Sequence, residues 1–183
     1  MAKTLIDTYL EPADGAACFV IIDSGIDDTY PVYEFHYVNI HPETDDTSFQ
    51  FQVETTGTSY AQPMTTTYFQ AYNAESGGTP DVGYSAGNDQ ANADVAFQNI
   101  AKTMGGGSGK DDESASGILT LYDPSSAFVK HFVATSHDYQ SNASAQSAYV
   151  AGYINTTTAI TKVKFMMSSG DIDSGTIKMF GVT

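Results

Sequence analysis

A hydrophobic period of two dominates this chain and leaves little room for anything but β-structure. In SFQFQVE, residues 48–54, Phe49, Phe51 and Val53 alternate with Gln50, Gln52 and Glu54, so an extended backbone carries all three apolar side chains on one face. YPVYEFHYVNI, residues 30–40, places Tyr33, Phe35 and Tyr37 on one face and Val32, Glu34, His36, Val38 and Ile40 on the other. Both runs are rich in aromatic and β-branched residues, which suit a pleated surface. Further runs of this kind lie at 17–23, 65–73, 116–123, 127–135, 147–155, 159–169 and 175–182, separated by turn-forming pieces such as PADGA, HPETDD and DPSS. In the last run Ile177 and Met179 face one way and Phe180 and Val182 the other, the pattern of a strand covered on both sides. About nine strands with short turns predict an all-β antiparallel sandwich or jelly roll with little or no helix.

Two stretches interrupt this pattern. NAESGGTPDVGYSAGNDQ, residues 73–90, is glycine-rich and polar, and GGGSGKDDESASG, residues 105–117, has five glycines in thirteen positions; both predict flexible loops. Between them, Phe97, Ile100, Ala101 and Met104 have the spacing of a short helix capped by Asn92 or Asp94, while Val95 and Phe97 alternate. The β character of the flanking sequence favours a strand over 95–100. At 183 residues the chain suits one well-buried domain, over residues 16–183, with residues 1–15 as an N-terminal arm or edge strand.

Charge excludes several partners. Twenty-two Asp plus Glu face seven Lys and no Arg, for a net charge of −15. Binding to phosphate needs Lys and Arg, so nucleic acid is excluded as a partner, and an anionic membrane surface with it. The acidic excess favours bound cations or a basic partner. The one cysteine, Cys18, sits between Ala17 and Phe19, which predicts a buried, inert thiol and no disulfide. MAKTLIDTYLEP has no apolar signal-peptide core, and no run reaches the length of a membrane helix, so the protein is expected to be made and kept in a cytoplasm or to leave by a route other than secretion, such as host lysis.

Motifs that carry chemistry are sparse. His36 and His131 each sit in mid-strand and would meet in a metal or catalytic pair only if their strands were neighbours; no close ligand spacing supports that, and strand histidines at half-exposed positions are the simpler reading. Asp171 and Asp173 in GDIDSG resemble half of a calcium loop, but the acidic residue that completes an EF-hand is missing and a strand follows. Aspartates that form turns by bonding their own backbone are the better reading, with a bound calcium as the alternative. GGGSGK lacks the spacing of a phosphate-binding loop, and no Gly-x-Ser-x-Gly elbow occurs, so neither enzymatic activity nor a cofactor is predicted. NAS at 142 and NTT at 155 match glycosylation acceptors by chance. Twelve Tyr and ten Phe with no Trp suit dry cores and amphipathic contact surfaces. Tyr60, Tyr68, Tyr72, Tyr84 and Tyr139 lie in or beside polar loops, where rings either stack on sugars, anchor a protein neighbour, or close the ends of a sandwich.

The spans TYPVYEFHYVNIHPETDDTSFQFQVETTG, TYFQAYN, SGILTLYDPSSAFVKHFVA and VAGYINTTTAITKVKFMMSSGDIDSGTIKMFGV together resemble a family of small virion proteins of tailed, marine-type bacteriophages. The most recognisable piece is the end, in which an apolar strand, an SSGDIDSG turn and a last strand closing on GV follow one another. The resemblance covers residues 3–182 and implies a jelly roll mounted on the particle. It implies a non-enzymatic capsid decoration or cement protein that docks on the major capsid protein as a homo-trimer, at the virion surface. The alternative is a head-fibre or tail-fibre tip that binds host-surface glycan. In the first case Leu5, Ile6 and Leu10 would form a docking arm.

Overall fold

The computed structural model describes residues 2–11, 19–91, 94–105 and 113–183; Cys18 and residues 106–112 lie outside them, as does the side chain of Leu10. Twelve strands make up the described chain: β1 (Lys3–Glu11), β2 (Phe19–Ile22), β3 (Val32–Pro42), β4 (Thr47–Thr55), β5 (Met64–Ala74), β6 (Asp81–Tyr84), β7 (Gln98–Met104), β8 (Ala115–Tyr122), β9 (Lys130–Gln140), β10 (Ser144–Ile154), β11 (Ile160–Met167) and β12 (Ile172–Val182). Every pairing is antiparallel, and no helix occurs among the described residues.

Eight of the strands form a jelly roll. β1-β12-β3-β8 make one four-stranded sheet and β2-β11-β4-β7 the other, so strands 1 to 4 of the roll alternate between layers and the later four return beside them in reverse order. Two hairpins are inserted. β5-β6 lies between β4 and β7, β9-β10 lies between β8 and β11, and they pair with one another to continue the first sheet as β8-β9-β10-β5-β6. The result is an eight-stranded sheet packed on a four-stranded one. A single pairing, Met104 with Gln140, links the two layers between β7 and β9.

The inward face follows the period of two. Tyr33, Phe35, Tyr37, Phe49, Phe51 and Val53 are all fully buried, as the alternation predicts. Phe35 meets Phe165 at 5.8 Å, Tyr37 meets Phe49 at 5.3 Å and Phe51 meets Phe132 at 4.9 Å between ring centroids, so aromatic pairs join the layers. Ile40 is the exception to phase. Asn39 has φ 49°, and the register with β8 shifts between Tyr37 and Ile40; this bulge turns Ile40 from the outer face into the core.

Local sequence and structure differ in two places. β6 falls inside the stretch expected to be a loop at 73–90; its sequence DVGY has no strand signal of its own, and pairing with β5 holds it. The strand expected at 95–100 runs instead from Gln98 to Met104, because Asp94 is drawn back to pair with Met64, whose amide donates to its carbonyl at 2.9 Å. At the N-terminus, where the sequence predicts an arm or an edge strand, β1 is a strand at the end of the sheet, paired along β12.

Candidate functional site: the outer face of the eight-stranded sheet

Antiparallel register lines up side chains in rows that cross the whole sheet. One row runs Tyr84, Phe69, Tyr149, Thr135, Ile118 and His36, from β6 to β3, and continues through Lys178 to Thr8. Phe69 and Tyr149 face each other directly across β5 and β10, with rings 5.0 Å apart and 9° from parallel. Both remain open to solvent, at 47% and 45% exposure. Val82, 73% exposed, starts the neighbouring row, in which Ala71, Ser147, His137 and Ser116 follow.

Charge is distributed unevenly between this face and the rest. Among the outward positions of β3, β8, β9, β10 and β5, Glu34 is the only carboxylate, in a chain with twenty-two acidic residues. Its charge is matched: Lys3 Nζ lies 2.6 Å and His36 Nε2 2.7 Å from Glu34 Oε2. Partial burial by itself raises the Glu34 carboxyl, but the bonds from Lys3 and His36 together hold it below its ordinary range. Most other described carboxylates sit in turns; Asp27, for example, accepts a hydrogen bond from the Thr29 amide at 2.8 Å, as a turn former does. The face therefore has the composition of an interface core, aromatic and poor in charge.

Three shallow depressions mark it. One of about 390 Å³ lies on the jelly-roll half beside Thr8, Val38, Thr176 and Lys178. Two of about 310 and 300 Å³ adjoin on the inserted hairpins and share His137 and Ser147. His137 Nδ1 is 3.4 Å from Ser147 Oγ across the pair.

Beneath the inserted hairpins the interior turns polar. Asp138, Gln140, Ser144 and Gln146 are buried on β9 and β10. Gln146 donates to Asp138 Oδ1 at 3.4 Å, and Gln140 donates to Gln146 at 2.5 Å. Desolvation pushes the Asp138 carboxyl up to about 7, against the hydrogen bond from Gln146 and the charge of Lys102. Burial likewise raises the phenols of Tyr37 and Tyr68. This cluster is enclosed, and it supports the sheet from behind.

The residues singled out from sequence are dispersed. Leu5 is on the outer face of β1, 52% exposed. Ile6 instead packs on the core, because adjacent strand residues point to opposite faces. Tyr68 is a correction: its ring is fully buried, since it has the inward phase of β5 and Phe69 takes the outward one. Tyr72 is half-buried on the same strand, and Tyr84 is exposed and donates to Asp89 at 2.5 Å. Tyr60 lies in the loop between β4 and β5, 5.7 Å from Lys164 Nζ of the four-stranded sheet, which sits over Phe19 at 3.7 Å. Tyr139 is half-buried on β9 beside Ala145. His36 and His131 stay apart, with β8 between their strands. Asp171 and Asp173 flank Ile172 where β12 begins; the Glu43 amide donates to the Asp171 carbonyl at 3.0 Å, and among the described residues no three His, Cys, Asp or Glu side chains converge as metal ligands. Phe69, Tyr149, His137 and Ser147 carry the face and were missed. Their strands were recognisable, but which strands pair, and so which side chains meet, is not written locally. Comparison of the chain with protein-family models, curated proteins and solved structures finds no match.

Proposed function

We propose that this chain is a non-enzymatic structural protein of a tailed-bacteriophage particle, a decoration or cement protein that docks on the major capsid protein as a homo-trimer and stabilises the head. The observation that carries this reading is the outer face of the eight-stranded sheet. A chain of charge −15 repels most protein surfaces of its own kind, yet one broad face is nearly free of carboxylates and studded with apolar and aromatic groups. Docking is assigned to its jelly-roll half, where Leu5 pairs with Phe180 across β1 and β12 and Val38 borders a depression. The test is re-decoration of purified heads that lack the protein. Wild type restores resistance to heat, whereas Leu5→Asp, at an exposed position that the fold tolerates, does not attach; undiminished attachment of L5D removes this docking surface.

A second reading, a head-fibre or tail-fibre tip that binds host-surface glycan, is favoured by one observation: the stacked, exposed Phe69–Tyr149 pair beside the two adjoining depressions of the inserted hairpins. Copy number separates the two placements, since a head lattice carries hundreds of copies and a fibre at most a few dozen.

A further inference from the structure

We infer that the two inserted hairpins build a carbohydrate-binding groove that runs across the strands, and that its ligand is an uncharged polysaccharide chain. This rests on the glycan reading and deepens it, and it holds whether the chain sits on head or tail. The floor is the row Val82, Ala71, Ser147, His137 and Ser116. Small side chains at Ala71, Ser147 and Ser116 keep it low. The next row along the strands raises Phe69, Tyr149 and Ile118 as one wall, and Pro80 and Asn73 border the other side at the β5–β6 end.

Three features select carbohydrate over an apolar protein segment. The floor and rim offer hydroxyl, imidazole, amide and carboxylate groups, from Ser147, His137, Asn73 and Asp81, at close spacing, as sugar hydroxyls require and an apolar helix does not. Exposed rings rise beside them: Phe69 and Tyr149 stack on each other, and their outer faces and edges stay open to the C–H side of a sugar. The repeat distance also matches: the groove steps from strand to strand by about 4.8 Å, near the rise of one residue in an extended pyranose chain, so each strand meets one sugar. From β6 to β8 the groove crosses five strands, room for roughly five residues. Charge decides the class of polymer. Asp81 and His137 are the only ionisable groups in the two depressions apart from Tyr72 and Tyr149, no Lys or Arg is there to hold an acidic sugar, and the net charge of −15 repels polyanions.

The test is native gel electrophoresis of the whole chain through gels containing a soluble β-glucan, a galactomannan or dextran, with alginate as the acidic comparison. Retardation by at least one neutral polymer and none by alginate is expected. Tyr149→Ala and Ser147→Phe, which remove the wall and fill the floor, should each weaken the interaction about tenfold or more, while Tyr149→Phe retains it; circular dichroism confirms that each variant is folded. Retardation that both variants leave unchanged overturns the groove and leaves glycan binding to another surface. No retardation by any neutral polymer overturns both. Self-association of the wild type that Y149A abolishes, without retardation, replaces the ligand by a second copy of the chain.

Discussion

Asp138 shows how a single residue on the hidden side of the sheet makes stability depend on pH. Its carboxyl titrates near 7 in the folded chain, because burial disfavours the charged form more than Gln146 and Lys102 favour it. Unfolded, it titrates near its ordinary value of 3.8. Between those values the folded state holds a proton that the unfolded state has lost. Stability from this group is therefore complete below about pH 4 and falls as pH rises to about 7, by about 4 kcal/mol at ~1.4 kcal/mol per unit. Asp138→Asn mimics the protonated form. Calorimetry should find it close to wild type below about pH 4 and more stable at pH 8, with a midpoint raised by about 8 to 16 °C; equal pH profiles would mean that the carboxylate is compensated. The sequence gives no warning of this residue, since HDYQ reads as an ordinary polar strand end. Its neighbour His137 faces outward into the groove while Asp138 faces in, and the strand's phase alone separates a solvent-facing role from a buried one. Tyr68 and Phe69 make the same point: the tyrosine, with its polar tip, is the buried member, and its hydroxyl lies 3.5 Å from Gln146 Nε2.

At the scale of elements, β12 is the strand on which the jelly roll closes. It lies between β1 and β3 along nearly its full length, and Ile177 and Met179 are buried beneath it. Removing residues 176–183 would cut β1 away from the sheet and bare β3, so this variant should fail to fold. Removing residues 2–11 is milder. It takes away the packing of Ile6 and Tyr9 on the core and leaves β12 as a bare edge. The expected result is a folded protein with a midpoint lower by about 5 to 10 °C and a tendency to associate, visible by light scattering. A monomer with unchanged melting would show that β1 contributes nothing to closure. Most of this architecture was legible in the chain, because SFQFQVE, VYEFHY and TIKMF carry their burial pattern in the alternation itself. The inserts were not. β6 has four residues with a glycine among them, and β7 begins where a polar loop, held by Gln90 Nε2 and Gln52 Nε2 on the Ala96 carbonyl, hands the chain back to the core. Long-range pairing decides both.

For the whole molecule, the contrast between an acidic body and a neutral face makes a prediction about salt. If docking used carboxylates against a basic patch on the capsid, each ion pair formed would weaken as salt screens it, and affinity would fall steeply from about 0.05 to about 0.5 M NaCl. On β3 and β8 the proposed surface has one carboxylate, Glu34, already matched by Lys3 and His36. Attraction across it comes from burial of apolar groups such as Leu5, which salt does not screen. Neighbouring copies on a head lattice each bring a charge of −15, and their mutual repulsion is what salt removes. Occupancy of heads, measured by sedimentation of bound against free protein, should therefore hold constant or rise as salt increases. It should also saturate more sharply, because the repulsion that opposes the last copies is the longest-ranged term. A steep loss of binding over the same range would show that the acidic turns, and not the sheet, touch the capsid.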